Sequence, residues 1–363
     1  MKKIAIYHNL NPGGGLNQLK NIVKILSSRK IVVDIYSHNN HKIVGSNQLF
    51  NYPTNKSKNS IEELFNATFS LSVIQKQIAK RIIHNNYDYV FVFPCHIIQS
   101  PHIIRYLPKK KTYYFFLEPK REFYEKTSFD YDTPKRIISR LIRYPIKIFD
   151  LINCKSSQNI ISNSKFSQKR LKEIYNKKSI VIYPGLKPIK PTKILIKNKH
   201  NFLSLGLLSM LKGHHLSAKL VPKLEIYGEK SHENIDKYLP DNIHLNKSVS
   251  NSSINNVYKK HTFFMANQIN ESFGLTTLEA ANNNCFIFGS NEGGTPEIIK
   301  NNLNGVLLPK DNVELSKKII DKYNKKDTIT LIKTCIIDWN YTVDQILKYI
   351  QYEKHLSPPS HQK

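Results

Sequence analysis

Two glutamates stand eight positions apart in the segment 267–297, which reads NQINESFGLTTLEAANNNCFIFGSNEGGTPE. Gly274 lies between them, and the hydroxyl residues around it are typical of a turn that leads into a helix. We predict that this helix starts near residue 275. Glu271 then lies in the loop before the helix, and Glu279 lies about one turn inside it, about 6 Å along the axis.

This arrangement suits an anion that carries hydroxyl groups on both sides. The N–H groups and the dipole of a helix start favour a phosphate. One carboxylate on each side of such a start is a poor metal cage, but each carboxylate can accept hydrogen bonds from hydroxyl groups. A nucleotide-sugar has the matching shape, because its diphosphate lies between two hydroxyl-rich rings.

The elements that must position these residues follow an alternating pattern. KKIAIYH is a predicted strand, NPGGG a turn, LNQLKNIVKILSSRK a helix and IVVDIYS a second strand, and a similar alternation begins again at NFLSLGLL. This order predicts an α/β fold with parallel sheets and crossover helices. A chain of 363 residues is long enough for two domains of middling size.

The domain boundaries follow from changes in composition. We predict an N-terminal domain over residues 1–185, a Pro- and Lys-rich linker over 186–200 and a C-terminal domain over 201–335. Residues 336–356 are expected to form a final helix, and residues 357–363 a frayed tail.

The composition narrows the class of protein. With 40% hydrophobic residues the chain resembles neither a disordered nor a collagenous protein. Its four cysteines form no C-x-x-C pair, which argues against a structural zinc site or a disulfide framework and fits a reducing cytosol. No apolar run approaches the roughly 18 residues that a membrane span needs, so we expect a protein that is soluble or sits on a membrane surface.

The charge is high and uneven. The formal net charge is +28; residues 1–185 carry 31 Lys and Arg against 11 Asp and Glu, and residues 186–363 carry 24 against 16. The excess in the first half indicates an anionic partner such as a lipid surface, a nucleic acid or a phosphorylated substrate. A composition biased toward solvated lysines explains it equally well.

Several motifs resemble those of the large retaining glycosyltransferase family 4, whose members have the GT-B fold. ESFGLTTLEA resembles the E-x7-E signature, GGTPEII the Gly-Gly turn after it, and SLGLLSMLKGHH the strand, loop and helix that open the second domain. DWNYTVDQILKYIQ resembles the helix that crosses back to the first domain. The resemblance implies two Rossmann-like β/α/β domains that face each other across a cleft, with the acceptor on the first and a nucleotide-sugar on the second.

The resemblance also implies roles for matching residues. Glu271 would contact the donor sugar and Lys212 would neutralise the donor diphosphate, so these two are the predicted catalytic residues. The implied donor-binding residues are Gly206, Phe273, Gly274, Leu275, Glu279, Gly293 and Gly294, with Glu279 on the ribose. The glycine turn after the first strand, where backbone can approach a phosphate or the acceptor closely, consists of Gly13, Gly14 and Gly15. Neither a cofactor nor a metal ion is implied.

Two positions depart from the family pattern. The family usually has an arginine five residues before the lysine, where this chain has Leu207. It also often has a histidine near the sugar, where this chain has Leu117 and Glu118. The candidate acceptor-side residues are therefore His96, Glu118 and Arg121.

Two further stretches invite a functional interpretation. FDYDT, residues 129–133, contains the Asp-x-Asp of metal-dependent glycosyltransferases, but it follows no buried strand, so we predict no metal site there. TPKRIISRLIRYPIKIFDLIN, residues 133–153, has basic residues opposite apolar ones at helical spacing. This pattern fits a helix on a membrane surface and, equally well, a domain helix packed on its sheet.

The combined prediction is a retaining glycosyltransferase that moves a sugar from a nucleotide-sugar to a lipid-linked or polysaccharide acceptor. It would work in the cytoplasm, with peripheral contact to the anionic inner face of the cell membrane. The alternatives are a nucleotide-sugar-binding pseudoenzyme, an epimerase or phosphorylase of the same fold and, on charge alone, a nucleic-acid binder, for which no recognised module is present.

Overall fold

The computed structural model describes residues 2–54, 57–125, 134–230, 239–250 and 253–356. The chain divides into two compact units. Unit 1 consists of Met1–Pro184 together with Trp339–Lys363, and unit 2 of Gly185–Asp338. The Asp-x-Asp stretch 129–133 and the tail 357–363 lie outside the described residues.

Unit 1 is built on a seven-stranded sheet with the order β3-β2-β1-β4-β5-β6-β7, in which every pairing is parallel. The strands are β1 Lys3–Asn9, β2 Val32–Ser37, β3 Gln48–Asn51, β4 Tyr89–Cys95, β5 Thr112–Phe116, β6 Asn159–Ser162 and β7 Ile180–Val181. The helices up to β7 are α1 Gly14–Ser28, α2 Ser60–Phe65, α3 Leu71–His84, α4 Arg121–Tyr124, α5 Pro134–Ile142, α6 Tyr144–Ser156 and α7 Lys165–Tyr175. A π-helical turn, Asn66–Ser70, joins α2 to α3.

Unit 2 is built on a six-stranded sheet with the order β11-β10-β9-β12-β13-β14, again with parallel pairings. Its strands are β8 Leu186–Lys197, β9 Phe202–Leu205, β10 Leu224–Tyr227, β11 Ile243–Asn246, β12 Phe263–Ala266, β13 Phe286–Ser290, β14 Gly305–Leu308 and β15 Thr328–Ile337. Its helices are α8 His214–Ala218, α9 Ile254–Lys260, α10 Leu275–Asn282, α11 Thr295–Ile298 and α12 Val313–Asn324. The two parallel sheets confirm the predicted α/β class.

The predicted linker needs correction, because most of residues 186–200 is strand. β8 pairs antiparallel with β15 in a separate two-stranded sheet within unit 2. Pro188 and Pro191 concealed this strand from the sequence analysis. In a two-stranded sheet both strands are edge strands, where a proline that lacks a ladder N–H is tolerated.

The last described helix, α13 Trp339–Leu356, belongs to unit 1 and not to the unit that precedes it in sequence. Val343, Ile346 and Ile350 are buried in the same cluster as Ile4 and Ile6 of β1. α13 therefore covers one face of the unit 1 sheet beside α1 and completes its core.

Each parallel sheet reverses its strand order at one place. In unit 1 the chain moves outward in opposite directions from β1 and β4, and in unit 2 from β9 and β12. In open α/β sheets, the crevice at the carboxyl ends of such strand pairs is the usual ligand site. The loops after β1, β4, β9 and β12 carry seven of the predicted site residues: Gly13, His96, Gly206, Lys212, Glu271, Phe273 and Gly274.

Candidate active site

Lys212 and Glu271, which are far apart in sequence, meet at the carboxyl edge of the unit 2 sheet. Lys212 closes a short 3-10 turn after β9, and Glu271 lies in the loop between β12 and α10. Lys212 Nζ lies 2.6 Å from Glu271 Oε2, and the side chains are 34% and 20% exposed. The pair is thus an ion pair that remains open to solvent and to a ligand.

Glycines bring these two loops together. Gly213 has a φ of +64°, and a Cβ there would lie 1.9 Å from the carbonyl oxygen of Asn267. Gly206 has a φ of +135°, and a Cβ there would lie 3.6 Å from Cδ of Lys212. No larger residue fits at 213 without moving the backbone, so the loop that holds Lys212 stays against the loop that leads to Glu271.

α10 begins beside Glu271, where the sequence predicts a helix start. Gly274 is its N-cap with a φ of 96° in the left-handed region, and the first turn contains no acidic residue. The first N–H groups of any helix have no intrahelical partner, and here no acidic side chain of that turn offsets the positive end of the dipole. The Thr277 hydroxyl of this turn is buried without a hydrogen-bond partner among the described residues.

The Gly-Gly turn after β13 contacts the backbone of the Glu271 loop directly. A Cβ on Gly293 would lie 2.6 Å from the carbonyl oxygen of Glu271, and one on Gly294 would lie 2.6 Å from that of Ser272. The Gly294 N–H also donates to the Glu271 carbonyl over 2.7 Å. These glycines hold the loop that presents Glu271.

Glu279 is largely buried and has a partner that the sequence analysis missed. The hydroxyl of Tyr258, on α9, donates to Glu279 Oε2 over 2.9 Å and lies 3.2 Å from the carbonyl oxygen of Thr276. Burial raises the pKa of Glu279, and the bond from Tyr258 lowers it. Tyr258 is fully buried. Its sequence context, SINNVYKK, does not indicate this burial, so the contact with Glu279 could not be predicted from the sequence.

A second ion pair lies next to the Glu271 loop. Glu292, the residue before the Gly-Gly turn, accepts a hydrogen bond from the Asn270 N–H over 3.3 Å and pairs with Lys310 over 2.5 Å. Leu207, at the position of the family's arginine, is 47% exposed and supplies no charge. Neither Glu292 nor Lys310 was predicted from the sequence as a site residue.

The glycines of the turn after β1 have different surroundings. Gly13 is the N-cap of α1 with a φ of +150°, and a Cβ there would meet no atom within 4 Å. A Cβ on Gly15 would instead lie 2.9 Å from Leu117 Cδ1. Gly13 thus caps α1 beside open space, Gly14 is the first of the 15 residues of this helix, and Gly15 allows α1 to pack on Leu117.

The three acceptor-side candidates all follow strands of the unit 1 sheet. The backbone N–H of His96 donates to the Asn9 carbonyl oxygen over 2.9 Å, and its Nδ1 lies 3.0 Å from that oxygen. Burial lowers the pKa of His96. Glu118 accepts a bond from Gln99 Nε2 through its carbonyl oxygen, and Arg121 is paired with Glu125 over 2.8 Å.

Within the described ranges, no group of three or more His, Cys, Asp or Glu side chains could hold a metal ion. The adjacent histidines after Lys212 are structural in character. His214 is buried, with Nδ1 3.0 Å from Ser204 Oγ and Nε2 3.3 Å from the Leu207 carbonyl oxygen. Desolvation lowers the pKa of His214 to about 4.

Solved structures with the same architecture identify the fold. The chain superposes on a glycosyltransferase from Rickettsia africae with a TM-score of 0.65 and 18% identity, covering 98% of this chain and 99% of that one. It has the GT-B fold. HepE from Anabaena, solved in complex with UDP and glucose, is a second GT-B neighbour, with a TM-score of 0.64, 13% identity and coverage of 97% and 100%.

Sequence comparison supports a glycosyltransferase for the part that carries Lys212, Glu271 and Glu279. Residues 186–331 of this GT-B chain match the family model described as glycosyl transferases group 1. A 125-residue stretch is 30% identical to the GtfA subunit of a UDP-N-acetylglucosamine–peptide N-acetylglucosaminyltransferase from Streptococcus agalactiae. The match covers 30% of this chain and 24% of the relative, so the chain spans about a quarter of that protein's length.

Proposed function

We propose that this chain is a retaining glycosyltransferase of family 4 that moves a sugar from a nucleotide-sugar to a lipid-linked or polysaccharide acceptor. One observation carries the proposal: the Lys212–Glu271 pair lies beside the start of α10, and Glu279 follows one turn inside that helix. The match of residues 186–331 to the glycosyl transferases group 1 model supports it.

The proposed chemistry follows from the charges at this helix start. The bond between the anomeric carbon and the donor diphosphate breaks, and negative charge grows on the leaving diphosphate. Lys212 and the N–H groups at the start of α10 stabilise that charge, which is the largest contribution that such a site can make. Glu271 binds hydroxyls of the sugar, and Glu279, held by Tyr258, binds the ribose.

Retention requires the acceptor oxygen to bond to the anomeric carbon on the face that the diphosphate leaves. The acceptor hydroxyl then gives its proton to a phosphate oxygen of the donor, and the nucleoside diphosphate departs. In this scheme the protein supplies position and charge, without a protein base, a metal ion or a cofactor.

The nucleotide of the donor is the first property to test. HepE was solved with UDP and with UDP-glucose, and the name of the streptococcal relative contains UDP-N-acetylglucosamine. We therefore expect a UDP-sugar to stabilise this chain more than a GDP- or ADP-sugar in a thermal-shift panel. Glu279→Ala should lose the shift, whereas Glu314→Ala, an exposed acid on α12, should keep it. A panel without any shift, or a shift that Glu279→Ala retains, would contradict the proposal.

A nucleotide-sugar-binding protein without turnover is the second candidate, because Leu207 leaves Lys212 without the family's second cation. Both candidates predict a thermal shift, and only the enzyme releases nucleoside diphosphate when an acceptor is present. Release of a sugar phosphate in the presence of inorganic phosphate would instead indicate a phosphorylase.

We place the reaction in the cytoplasm, at the inner face of the cell membrane. None of the described helices is long and apolar enough to cross a bilayer. The excess of 31 basic over 11 acidic residues in positions 1–185 supports contact with an anionic surface.

A further inference from the structure

Charged residues follow four adjacent strands of the unit 2 sheet, and two of these residues have no part in the proposed mechanism. In the sheet the strands stand in the order β9, β12, β13 and β14. Lys212 follows β9 and Glu271 follows β12, and the next two loops carry Glu292 and Lys310, each two residues beyond its strand. Since the carboxyl ends of parallel strands lie at one edge of a sheet, the loops follow one another as cation, carboxylate, carboxylate and cation.

Glu292 uses its two carboxylate oxygens on two different loops. Oε1 accepts a hydrogen bond from the Asn270 N–H over 3.3 Å, and Oε2 lies 2.5 Å from Lys310 Nζ. The Glu292 side chain is 16% exposed. A hydrogen bond from a backbone N–H to an ionised oxygen is stronger than one to a neutral oxygen, so Glu292 holds the residue that directly precedes Glu271.

The backbone of Asn270 has a conformation that persists only where its surroundings hold it. Its φ is +48°, in the left-handed region, which is uncommon for a residue other than glycine. Gly293 packs directly against the next peptide unit, because a Cβ there would lie 2.8 Å from the Glu271 nitrogen. Glu292 and Gly293 therefore determine the path of the backbone from which the Glu271 side chain projects.

The neighbouring residue attaches this loop on its opposite side. The Ile269 N–H donates to the Leu211 carbonyl oxygen over 2.9 Å, in the turn that ends at Lys212. Ile269 is thus bonded toward β9 and Asn270 toward β13. Glu271 directly follows these two anchored residues, so loss of the Glu292 bond would change the position of Glu271 relative to Lys212.

Lys310 binds Glu292 from a loop that has its own attachment. The Ser316 hydroxyl of α12 donates to the Pro309 carbonyl oxygen over 3.1 Å, one residue before Lys310. The Lys310 side chain is 57% exposed, and ion pairs with so exposed a member contribute little to folding stability. The consequence of this pair is therefore geometric: it fixes the direction of the Glu292 carboxylate.

We propose that Glu292 is a positioning residue, which acts through the Asn270 backbone to place the Glu271 carboxylate at the donor sugar. Lys310 holds Glu292 in the orientation that this requires. The inference rests on the proposed function, because it takes Glu271 as the carboxylate that binds the sugar. In this arrangement neither Glu292 nor Lys310 touches the donor.

A positioning role can be distinguished from direct contact with the donor and from a folding defect. A nucleotide-sugar carries the sugar that Glu271 binds, whereas the free nucleoside diphosphate lacks it. Loss of the Glu292 bond should therefore weaken binding of the nucleotide-sugar and leave binding of the nucleoside diphosphate unchanged. A folding defect would weaken both.

The test is calorimetric titration of the full chain with UDP-glucose, GDP-glucose and ADP-glucose, and with UDP, GDP and ADP. For the nucleotide that binds, Glu292→Ala should raise the Kd of the nucleotide-sugar about tenfold and leave the Kd of the nucleoside diphosphate unchanged. Glu292→Gln retains an oxygen for the Asn270 N–H and should recover most of the lost affinity. Glu314→Ala, at an exposed position of α12, is the control and should bind both ligands like the parent chain.

A second variant tests the part played by Lys310. Lys310→Gln should weaken the nucleotide-sugar in the same direction, and Glu292→Ala/Lys310→Gln should bind no more weakly than Glu292→Ala alone, because the lysine acts only through Glu292. Lys317→Gln is the matched control on α12. Should Glu292→Ala melt well below the parent chain, Lys310→Gln provides the same comparison from an exposed position.

Three results would overturn the proposal. They are unchanged nucleotide-sugar affinity in Glu292→Ala, an equal loss of affinity for the nucleotide-sugar and the nucleoside diphosphate, and additive losses in the double variant. A parent chain that binds none of the six ligands would instead contradict the proposed function, and the positioning role would fall with it.

Discussion

The hydroxyl of Tyr258 fixes one oxygen of the Glu279 carboxylate, and the two residues act as one unit in the proposed site. Tyr258→Phe removes this bond and leaves the ring in place. Because the bond lowers the pKa of Glu279 against the effect of burial, the variant should hold a more readily protonated and less fixed carboxyl group. We expect the Kd for the donor to rise about tenfold, or ~1.4 kcal/mol, measured by calorimetry.

Tyr323→Phe is the matched control for this variant. The Tyr323 hydroxyl bonds to Asn302 Oδ1 at an exposed position of the same unit. Equal donor affinity in Tyr258→Phe and Tyr323→Phe would show that Glu279 is not part of the donor site.

Lys212 carries the electrostatic part of the proposed mechanism. Lys212→Gln removes the cation that lies 2.6 Å from Glu271 and should lower kcat by about 10²–10³-fold, as the loss of one charge-stabilising donor does in other enzymes. Steady-state rates of nucleoside diphosphate release measure this effect. Lys317→Gln, on the exposed side of α12, should leave the rate unchanged, and an undiminished rate in Lys212→Gln would remove the lysine from the mechanism.

At the residue scale, the family resemblance identified both members of the Lys212–Glu271 contact, and the structure shows that they touch. The contacts that hold the two glutamates in place were not predictable. Tyr258 reaches Glu279 from another helix, and Gly294, in the turn after β13, donates a hydrogen bond to Glu271 in the loop that follows β12. Such contacts depend on how strands are ordered in a sheet, which spacing along the chain does not encode.

In the proposed mechanism, donor binding depends on the start of α10, where Gly274 is the N-cap. Gly274→Ala places a Cβ at a φ of +96°, 3.2 Å from Thr277 Oγ1, and Gly45→Ala imposes the same kind of strain at a φ of +93° in unit 1. Both variants should lose about 1–2 kcal/mol of folding stability. Donor affinity should fall only in Gly274→Ala, because only this change moves the first turn of α10.

Denaturant unfolding and calorimetry on the two glycine variants make this comparison. Loss of donor affinity in Gly45→Ala to the same extent would mean that general destabilisation, and not the helix start, weakens binding.

At the element scale, the buried strands and amphipathic helices were predictable because their periodicity is strong. β1 and β4, with their continuous apolar runs, are examples. β3, α2 and α3 received no prediction, since the Asn- and Lys-rich stretch between residues 38 and 60 hides the change from strand to helix. β8 was predicted to be a linker because its prolines argue against a strand. Edge strands tolerate proline, and β8 is an edge strand.

Buried neutral histidines link the stability of the whole molecule to pH. Burial lowers the pKa from 6.5 to about 3 for His8 and to about 4 for His38, His102, His214 and His215. Between about pH 6.5 and 4 these histidines are therefore protonated in the unfolded chain but still neutral in the folded chain. The free energy of unfolding falls as the pH is lowered through this window. We expect the Tm to drop by several degrees between pH 7 and pH 5 in calorimetric scans.

Asp150 opposes this trend. Burial raises its pKa from 3.8 to about 6, so the folded chain binds that proton first and gains stability as the pH falls between about 6 and 4. Asp150→Asn should therefore steepen the acid loss of Tm. A Tm that stays constant or rises from pH 7 to pH 5 in the parent chain would contradict the assignment of neutral buried histidines.

At the scale of the molecule, two α/β units and the excess of positive charge in the first half could be read from the sequence. The return of the chain to unit 1 through α13 was expected from the family resemblance, not from its own pattern.

The central claim is that the start of α10 holds the diphosphate of a nucleotide-sugar. Hydrogen–deuterium exchange tests this claim directly, when it is measured with and without the nucleotide-sugar that stabilises the chain most. We predict slower exchange at the amides of residues 275–277 on addition of the donor, no such change in Glu279→Ala at the same concentration, and no change along α12. Donor binding that leaves these three amides unprotected and slows exchange elsewhere would contradict the account.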